Sequence, residues 1–411
     1  MTMGLALARR TDNEVMAKVS QKDPYSRQSQ YSLSHGHAGL AILWDQADRC
    51  FPGEEFDQIA RQHLKEARDG LTSVQSAPLG LFDGLSGYAY ATHYLSRGGK
   101  RYRNAQTEID AGLYPAVSRR CELLKPHEHF GCDDIDLISG LTGIGAYLLS
   151  RQDTPDAQIT LRSVIEFLVA LLGDPRTPPR WYTPHSLIGS ESMRREFPEG
   201  NLNCGLAHGI PGPVALLSLA YECGLRVSGL ENSIEMAARW LMQHRLNDEW
   251  GPNWPAAQHL AEPGAMPVQR AARAAWCYGS PGIARALWLA GRALRRREYQ
   301  DLALDAMAAV FRRPFATLGL PTTMFCHGLA GLLQITWRFA RETRHTEFLE
   351  ATASLTESIL VQHERTSDAN PPAASSITKR WVLEGLAGIA LALLAVGESA
   401  EPDWDRAFLL S

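Results

Sequence analysis

No stretch of the 411-residue chain is both apolar enough and long enough to span a bilayer. The longest apolar stretches, such as Gly385 to Val396, stop well short of the roughly 20 residues that a membrane helix needs. Residues 1–22 are mixed and polar and lack the apolar core and cleavage site of a secretory signal. There is no excess of positive charge. Lys and Arg number 41 against 45 Asp and Glu, a net charge of −4, which excludes the electrostatic footprint of a nucleic-acid binder. Cysteine is sparse. The seven residues are odd in number and far apart, which excludes a disulfide scaffold and fits a reduced compartment. CxxC and HExxH are both absent, so no local metal signature exists. Strand-like alternation is rare. These absences lead to the expectation of a soluble, helical, cytoplasmic protein.

What is present is a repeat. Gly-x-x-Gly occurs at Gly36–Gly39, Gly84–Gly87, Gly140–Gly143, Gly209–Gly212, Gly279–Gly282, Gly328–Gly331 and Gly385–Gly388. Successive first glycines lie 48 to 70 residues apart. A unit of that size cannot bury its apolar face alone and stacks on its neighbours. Each glycine pair opens a run that is apolar nearly all round, the mark of a buried helix. Between the runs, Glu54 to Leu71, Ala157 to Leu172, Leu230 to Leu246, Tyr299 to Phe311 and Thr346 to His363 place apolar residues three and four apart. That is the spacing of a helix with one face in solvent. The alternation predicts an all-α fold, an α/α toroid of seven inner and seven outer helices. It forms a single domain over residues 1–411, and a small inserted subdomain can be accommodated. Gly173 to Asn203, rich in Pro, Arg and Ser, is expected to be an insertion at the mouth of the ring. Residues 368–376 (DANPPAASS) read as a turn-rich loop.

Reactive residues recur at one address. Cys277 and Cys326 each stand two before a first glycine, and His327 and His208 stand one before. In a ring these positions lie at one end and can converge. Two thiols and an imidazole suit a catalytic Zn²⁺ site, which takes three protein ligands and keeps one position open. Neighbours such as Cys326 and His327 diverge on a helix by about 100° and could share an ion only from the turn before it. The same residues would also serve as two buried thiols and a capping histidine.

The motifs AHGIPG, AWCYGSPG and CHGLAG, in this order and spacing, resemble the lanthionine synthetase C-like family, the lanthipeptide cyclases. The resemblance runs through all seven glycine pairs. It implies a toroid with central zinc held by Cys277, Cys326 and His327. It implies a peptide substrate bearing dehydroalanine or dehydrobutyrine, to which a substrate cysteine adds to form a thioether ring. His208 matches the proposed acid/base residue of the family, and imidazole suits proton transfer near neutral pH. Asp136 matches the active-site aspartate and would orient or charge-stabilise His208. Arg273 matches a family arginine that would stabilise an enolate or bind a peptide carbonyl. Tyr278 would donate a hydrogen bond beside the metal. Cys204, His35 and His37 stand near the same end and read as supporting or structural residues. Cys50, Cys121, Cys132 and Cys223 read as ordinary buried thiols.

Nothing resembling a dehydratase domain precedes the first repeat. The expected partners are therefore a dehydrated precursor peptide, a separate dehydratase and an export transporter. That complex could hold the chain at the membrane periphery. The competing reading within the family is a zinc-containing, thiol- or glutathione-binding protein without cyclase activity. A sugar-cleaving toroid would rely on Asp83 and Glu384 and leave the Cys-Cys-His set unused.

Overall fold

The computed structural model describes residues 4–9, 11, 30–260, 269–368, 380–398 and 401–411. Helices dominate it. In chain order they are α1 (His37–Cys50), α2 (Phe56–Thr72), α3 (Leu85–Leu95), α4 (Arg103–Leu124), α5 (Cys132–Ile135), α6 (Leu141–Leu149), α7 (Pro155–Leu172) and α8 (Glu191–Glu196). There follow α9 (Pro211–Glu222), α10 (Leu230–Gln243), α11 (Ser280–Ala293), α12 (Arg297–Arg312), α13 (Leu329–Thr343), α14 (Thr346–Asp368) and α15 (Leu386–Gly397).

The glycine pairs open α1, α3, α6, α9, α11, α13 and α15. These helices are buried nearly all round, as their composition requires. Every residue from Leu386 to Ala395 in α15 is buried, and so is every residue from Leu329 to Ala340 in α13. Each fully buried leucine contributes about 1.5–3 kcal/mol to stability. The helices between them bury one face. In α2 that face is Phe56, Ala60, His63, Leu64, Ala67 and Gly70, which follows the 3.6-residue period.

The amphipathic segments lie where the spacing places them, with two differences. The segment expected to run to Leu246 stops at Gln243, because Leu246–Asp248 pairs with Gly251–Asn253 as an antiparallel hairpin. Helix α4 has no counterpart in the sequence reading. It carries Pro115 in its interior and lacks a clean apolar stripe. Residues 4–9 are also helical, and Gly4 lies against Leu394 and Ala390 of α15.

The chain divides into two compact units. The first draws on residues 1–78, 82–110 and 320–405. Within it α15 packs on both α1 and α13, and α1 packs on α3. Helix α2 covers α1 and α3, and α14 covers α13. A bidentate ion pair between Arg338 and Asp405, at 2.6 and 2.7 Å, is wholly buried in this unit. The second unit draws on residues 79–81, 111–319 and 406–411. There α9 packs on α6 and α11, while α7, α10 and α12 cover them.

The Gly173 to Asn203 stretch contains a 3-10 turn (His185–Leu187), α8 and a strand, Asn201–Asn203. That strand pairs antiparallel with Ala257–His259. Ile188, Phe197 and Met193 of this stretch pack with Ala257 of the partner strand in a small core. Residues 369–376 of the turn-rich stretch before α15 lie outside the described residues.

One contact recurs through both units. The amide two residues ahead of a first glycine donates to the carbonyl at the same address in the next repeat. In the first unit Cys326 donates to Leu383 (2.9 Å), Leu383 to Ser34 (3.4 Å) and Ser34 to Phe82 (2.9 Å). The last repeat is thereby bonded to the first. In the second unit Ala207 donates to Cys277 (3.3 Å), and Leu137, one residue further out, donates to Ala207 (3.0 Å).

The second glycine of the pair makes this approach possible. A Cβ on Gly143 would strike the Leu137 carbonyl oxygen and sit 2.8 Å from Leu81 Cβ. A Cβ on Gly388 would strike the Val382 carbonyl oxygen and sit 2.8 Å from Phe325 Cβ. In both, one wall is the backbone six residues earlier and the other is the preceding repeat. Gly143→Ala is therefore expected to lower stability by about 1–3 kcal/mol in denaturant unfolding. Gly112→Ala, in α4 with nothing within 4 Å of its added Cβ, should be neutral or stabilising by up to about 1 kcal/mol. Equal effects at the two positions would contradict this packing role.

Candidate active site

Asp136, His208 and Cys277–Tyr278 lie on three consecutive pre-helix turns of the second unit. The backbone bonds at Leu137, Ala207 and Cys277 hold those turns side by side. The Asp136 turn begins with α5, a single helical turn that Asp136 caps at its C-terminal end. Asp136 is buried, and its Oδ1 accepts the backbone N–H groups of Ser139 and Gly140, both at 2.8 Å. The other oxygen, Oδ2, meets His208 Nδ1 at 2.6 Å. A buried carboxylate with three donors is fixed in place and held as an acceptor.

His208 sits in the turn before α9. Gly209 N–H closes that turn on the Gly205 carbonyl (2.7 Å), and Gly205 N–H donates to Asn203 Oδ1 (2.9 Å). Burial pushes the His208 pKa down. The Asp136 hydrogen bond and charge, with smaller contributions from Cys277 and Asp133, outweigh it, and the pKa is raised above the usual imidazole value. With Nδ1–H directed to Asp136, Nε2 is the nitrogen left for proton transfer. The His208 side chain keeps 35% of its surface exposed, so a substrate can reach it.

Tyr278 lies beside His208, with ring centroids 6.2 Å apart. Asn203 Nδ2 donates to its phenolic oxygen at 3.1 Å. Burial pushes the phenol well up, so Tyr278 keeps its proton and acts as a hydrogen-bond donor. Cys277 is buried directly before it. Arg273 is exposed, and its Cβ lies 3.1 Å from the position a Cβ on Gly319 would take. Among the described residues no hydrogen bond or ion pair joins Arg273 to Asp136, His208 or Tyr278.

Cys132 belongs to this cluster, although its sequence reads as an ordinary buried thiol. Its sulfur, an Asp136 oxygen and a His208 nitrogen all lie within 4.8 Å of one another. The signal was its position four residues before Asp136, one helical turn away. Burial and the neighbouring Asp133 and Asp136 charges push its thiol up to about 12. Two further cysteines depart from the buried reading: Cys50 is half-buried and Cys223 exposed. Cys204 is buried and donates to the Leu202 carbonyl at 3.5 Å.

In the first unit, Cys326 and His327 occupy the turn before α13, both half-buried, with Gly328 as the N-cap. They stand off the helix, as sharing an ion demands. His35 and His37 are engaged elsewhere in that unit. His35 meets Ser34 Oγ at 3.0 Å, and His37 Nδ1 meets His63 Nδ1 at 2.8 Å.

The family model described as lanthionine synthetase C-like protein matches residues 27–409. The nisin biosynthesis protein NisC of Lactococcus lactis subsp. lactis is 26% identical over 314 residues, 75% of this chain and 74% of that protein. The solved structure of a nisin cyclase superposes with a TM-score of 0.81 at 21% identity, covering all of this chain and 98% of that one. The all-α fold is thus that of the nisin cyclase, an α/α toroid. The chain belongs to the lanthionine synthetase C-like family.

Proposed function

We propose that this protein is a lanthipeptide cyclase. It adds cysteine thiols of a peptide to dehydroalanine or dehydrobutyrine of the same peptide and forms lanthionine or methyllanthionine rings. The observation that carries the reading is the buried Asp136 bonded to a part-exposed His208, in a member of this family. Thiol binding alone has no use for such a pair.

Cys277, Cys326 and His327 have the donor chemistry of a metal-holding group, two sulfurs and one nitrogen, and fit Zn²⁺. They would hold the ion and leave one coordination position for substrate. When bound, zinc supplies the positive charge that holds a substrate thiol, with an ordinary pKa of about 8.5, as thiolate.

The protein's own residues manage the proton. Sulfur joins the β-carbon of the dehydro residue, the double-bond electrons move toward the carbonyl, and the resulting enolate takes a proton at the α-carbon. His208 donates that proton from Nε2 and is reloaded by the proton that the substrate thiol releases. The addition involves no net oxidation or reduction of the peptide. Asp136 keeps the imidazole in the correct tautomer and stabilises its charged form. Tyr278 donates its phenolic hydrogen to the developing charge. Arg273, exposed ahead of Cys277, binds the peptide backbone. The substrate must arrive already dehydrated, so a separate dehydratase supplies it. An export transporter is the natural partner for the product. No described helix is long and apolar enough to cross a membrane.

Cys277→Ala and Cys326→Ala should each lose bound zinc and cyclisation. His208→Asn should keep zinc, read by elemental mass spectrometry, and lose cyclisation. Full activity in the His208 variant would remove it from the mechanism.

The pH dependence has a definite sign. A proton donor works below its pKa, so activity should fall as pH rises through the raised His208 value. The stability gained from the charged pair is present in full below about 6.5, the unfolded imidazole value, and lost over the same rise. Asp136→Asn should move the alkaline limb of the cyclisation profile to lower pH. A limb that stays in place would contradict the pairing.

A further inference from the structure

A pocket of about 310 Å³ opens in the first unit, lined by α2, α3 and the start of α4. Its lining carries four cations, Arg61, Lys65, Arg68 and Arg101, and no carboxylate. The rest of the lining includes Leu64 and the tyrosines Tyr88 and Tyr102, with Leu64 and Tyr88 buried. Two acids outside the lining balance part of the charge. Asp57 pairs with Arg61 at 2.7 Å and Arg101 at 3.5 Å, and Asp69 pairs with Arg68 at 3.0 Å. Lys65 makes no ion pair among the described residues. The pocket is therefore cationic on a chain whose net charge is −4.

We infer that this pocket binds an acidic, part-apolar segment of the precursor peptide, at a place distinct from the Asp136–His208 site. The inference rests on the cyclase reading for the identity of the peptide. The chemistry comes from the pocket. Arg61, Lys65 and Arg68 lie at i, i+4 and i+7 on one face of α2, and so span about 10 Å along the axis. An extended peptide covers that distance in about three residues, at roughly 3.3–3.6 Å each. Carboxylates three residues apart can therefore face the two ends of the row. The apolar and aromatic floor takes a leucine or phenylalanine side chain between them. A small hydrated phosphate would leave that floor unused.

The test is fluorescence anisotropy on the whole protein with a fluorescein-labelled octapeptide. It carries aspartate at every third position and leucine or glycine elsewhere. The expected result is saturable binding that weakens with added salt and is absent for the same peptide with lysine in place of aspartate. The double variant Arg61→Glu with Lys65→Glu should weaken binding about ten-fold or more through like-charge repulsion. Lys65→Glu alone, which breaks no ion pair, should weaken it less. Circular dichroism and zinc content should match wild type in both, since the two residues are exposed. No binding up to millimolar peptide, or equal binding by the charge-reversed protein, would overturn the inference. Cyclisation of a short dehydrated peptide lacking acidic residues, assayed in the same variants, should be unchanged. Failure of that reaction in the wild type would count against the cyclase reading, whatever the peptide-binding result.

Discussion

The architecture depends on one backbone contact: the bond between equivalent pre-helix turns of neighbouring repeats. It requires two turns to approach within a hydrogen bond while each starts a buried helix. Gly143 and Gly388 show what makes that possible, since a methyl group at either would meet a carbonyl of its own turn and a side chain of the repeat before. The glycine costs conformational entropy, and burial of the helix that follows offsets it. Once the turns are bonded, whatever residue stands at that address is fixed to its neighbours within a hydrogen bond. Ser34, Phe82 and Leu383 stand at that address in three repeats, and the thiols Cys277 and Cys326 stand there in two others.

The electrostatics follow the same plan. Asp136 is buried where an unpaired carboxylate would be costly, and the turn satisfies it with two backbone N–H groups before His208 arrives. Its fixed charge then outweighs the burial that pushes the imidazole pKa down. The His208 turn needs Gly209 for its closure and Asn203 for its anchor, and Asn203 also serves Tyr278. The closure of the turn and the proposed proton chemistry therefore share atoms, so changes in this turn will rarely separate the two cleanly.

Much of this was legible in the sequence because the repeat is local. Glycine pairs, all-round apolar runs and three-four spacing identify the buried and half-exposed helices from composition alone. The placement of Cys277, Cys326, His327 and His208 in the turns before buried helices was also legible, since these positions are counted from the glycines. What escaped depends on contacts distant in sequence. Helix α4 has a proline inside it and no clean stripe, so its packing rather than its pattern holds it. The strand Asn201–Asn203 is too short to show a period and exists because Ala257–His259 pairs with it. Cys132 looked inert because only the fold brings it to His208, across more than 70 residues.

The most direct test of the central claim is a count of free thiols. The purified zinc-loaded protein would be incubated with a dehydrated peptide holding one cysteine and one dehydroalanine. Maleimide alkylation and mass spectrometry then read the outcome. Thiol addition leaves the peptide mass unchanged and removes the alkylatable sulfur. The account predicts loss of maleimide labelling in the presence of the protein, at a rate well above the uncatalysed one. Full labelling at the uncatalysed rate would contradict it, and would leave a helical toroid whose dyad serves some other proton transfer.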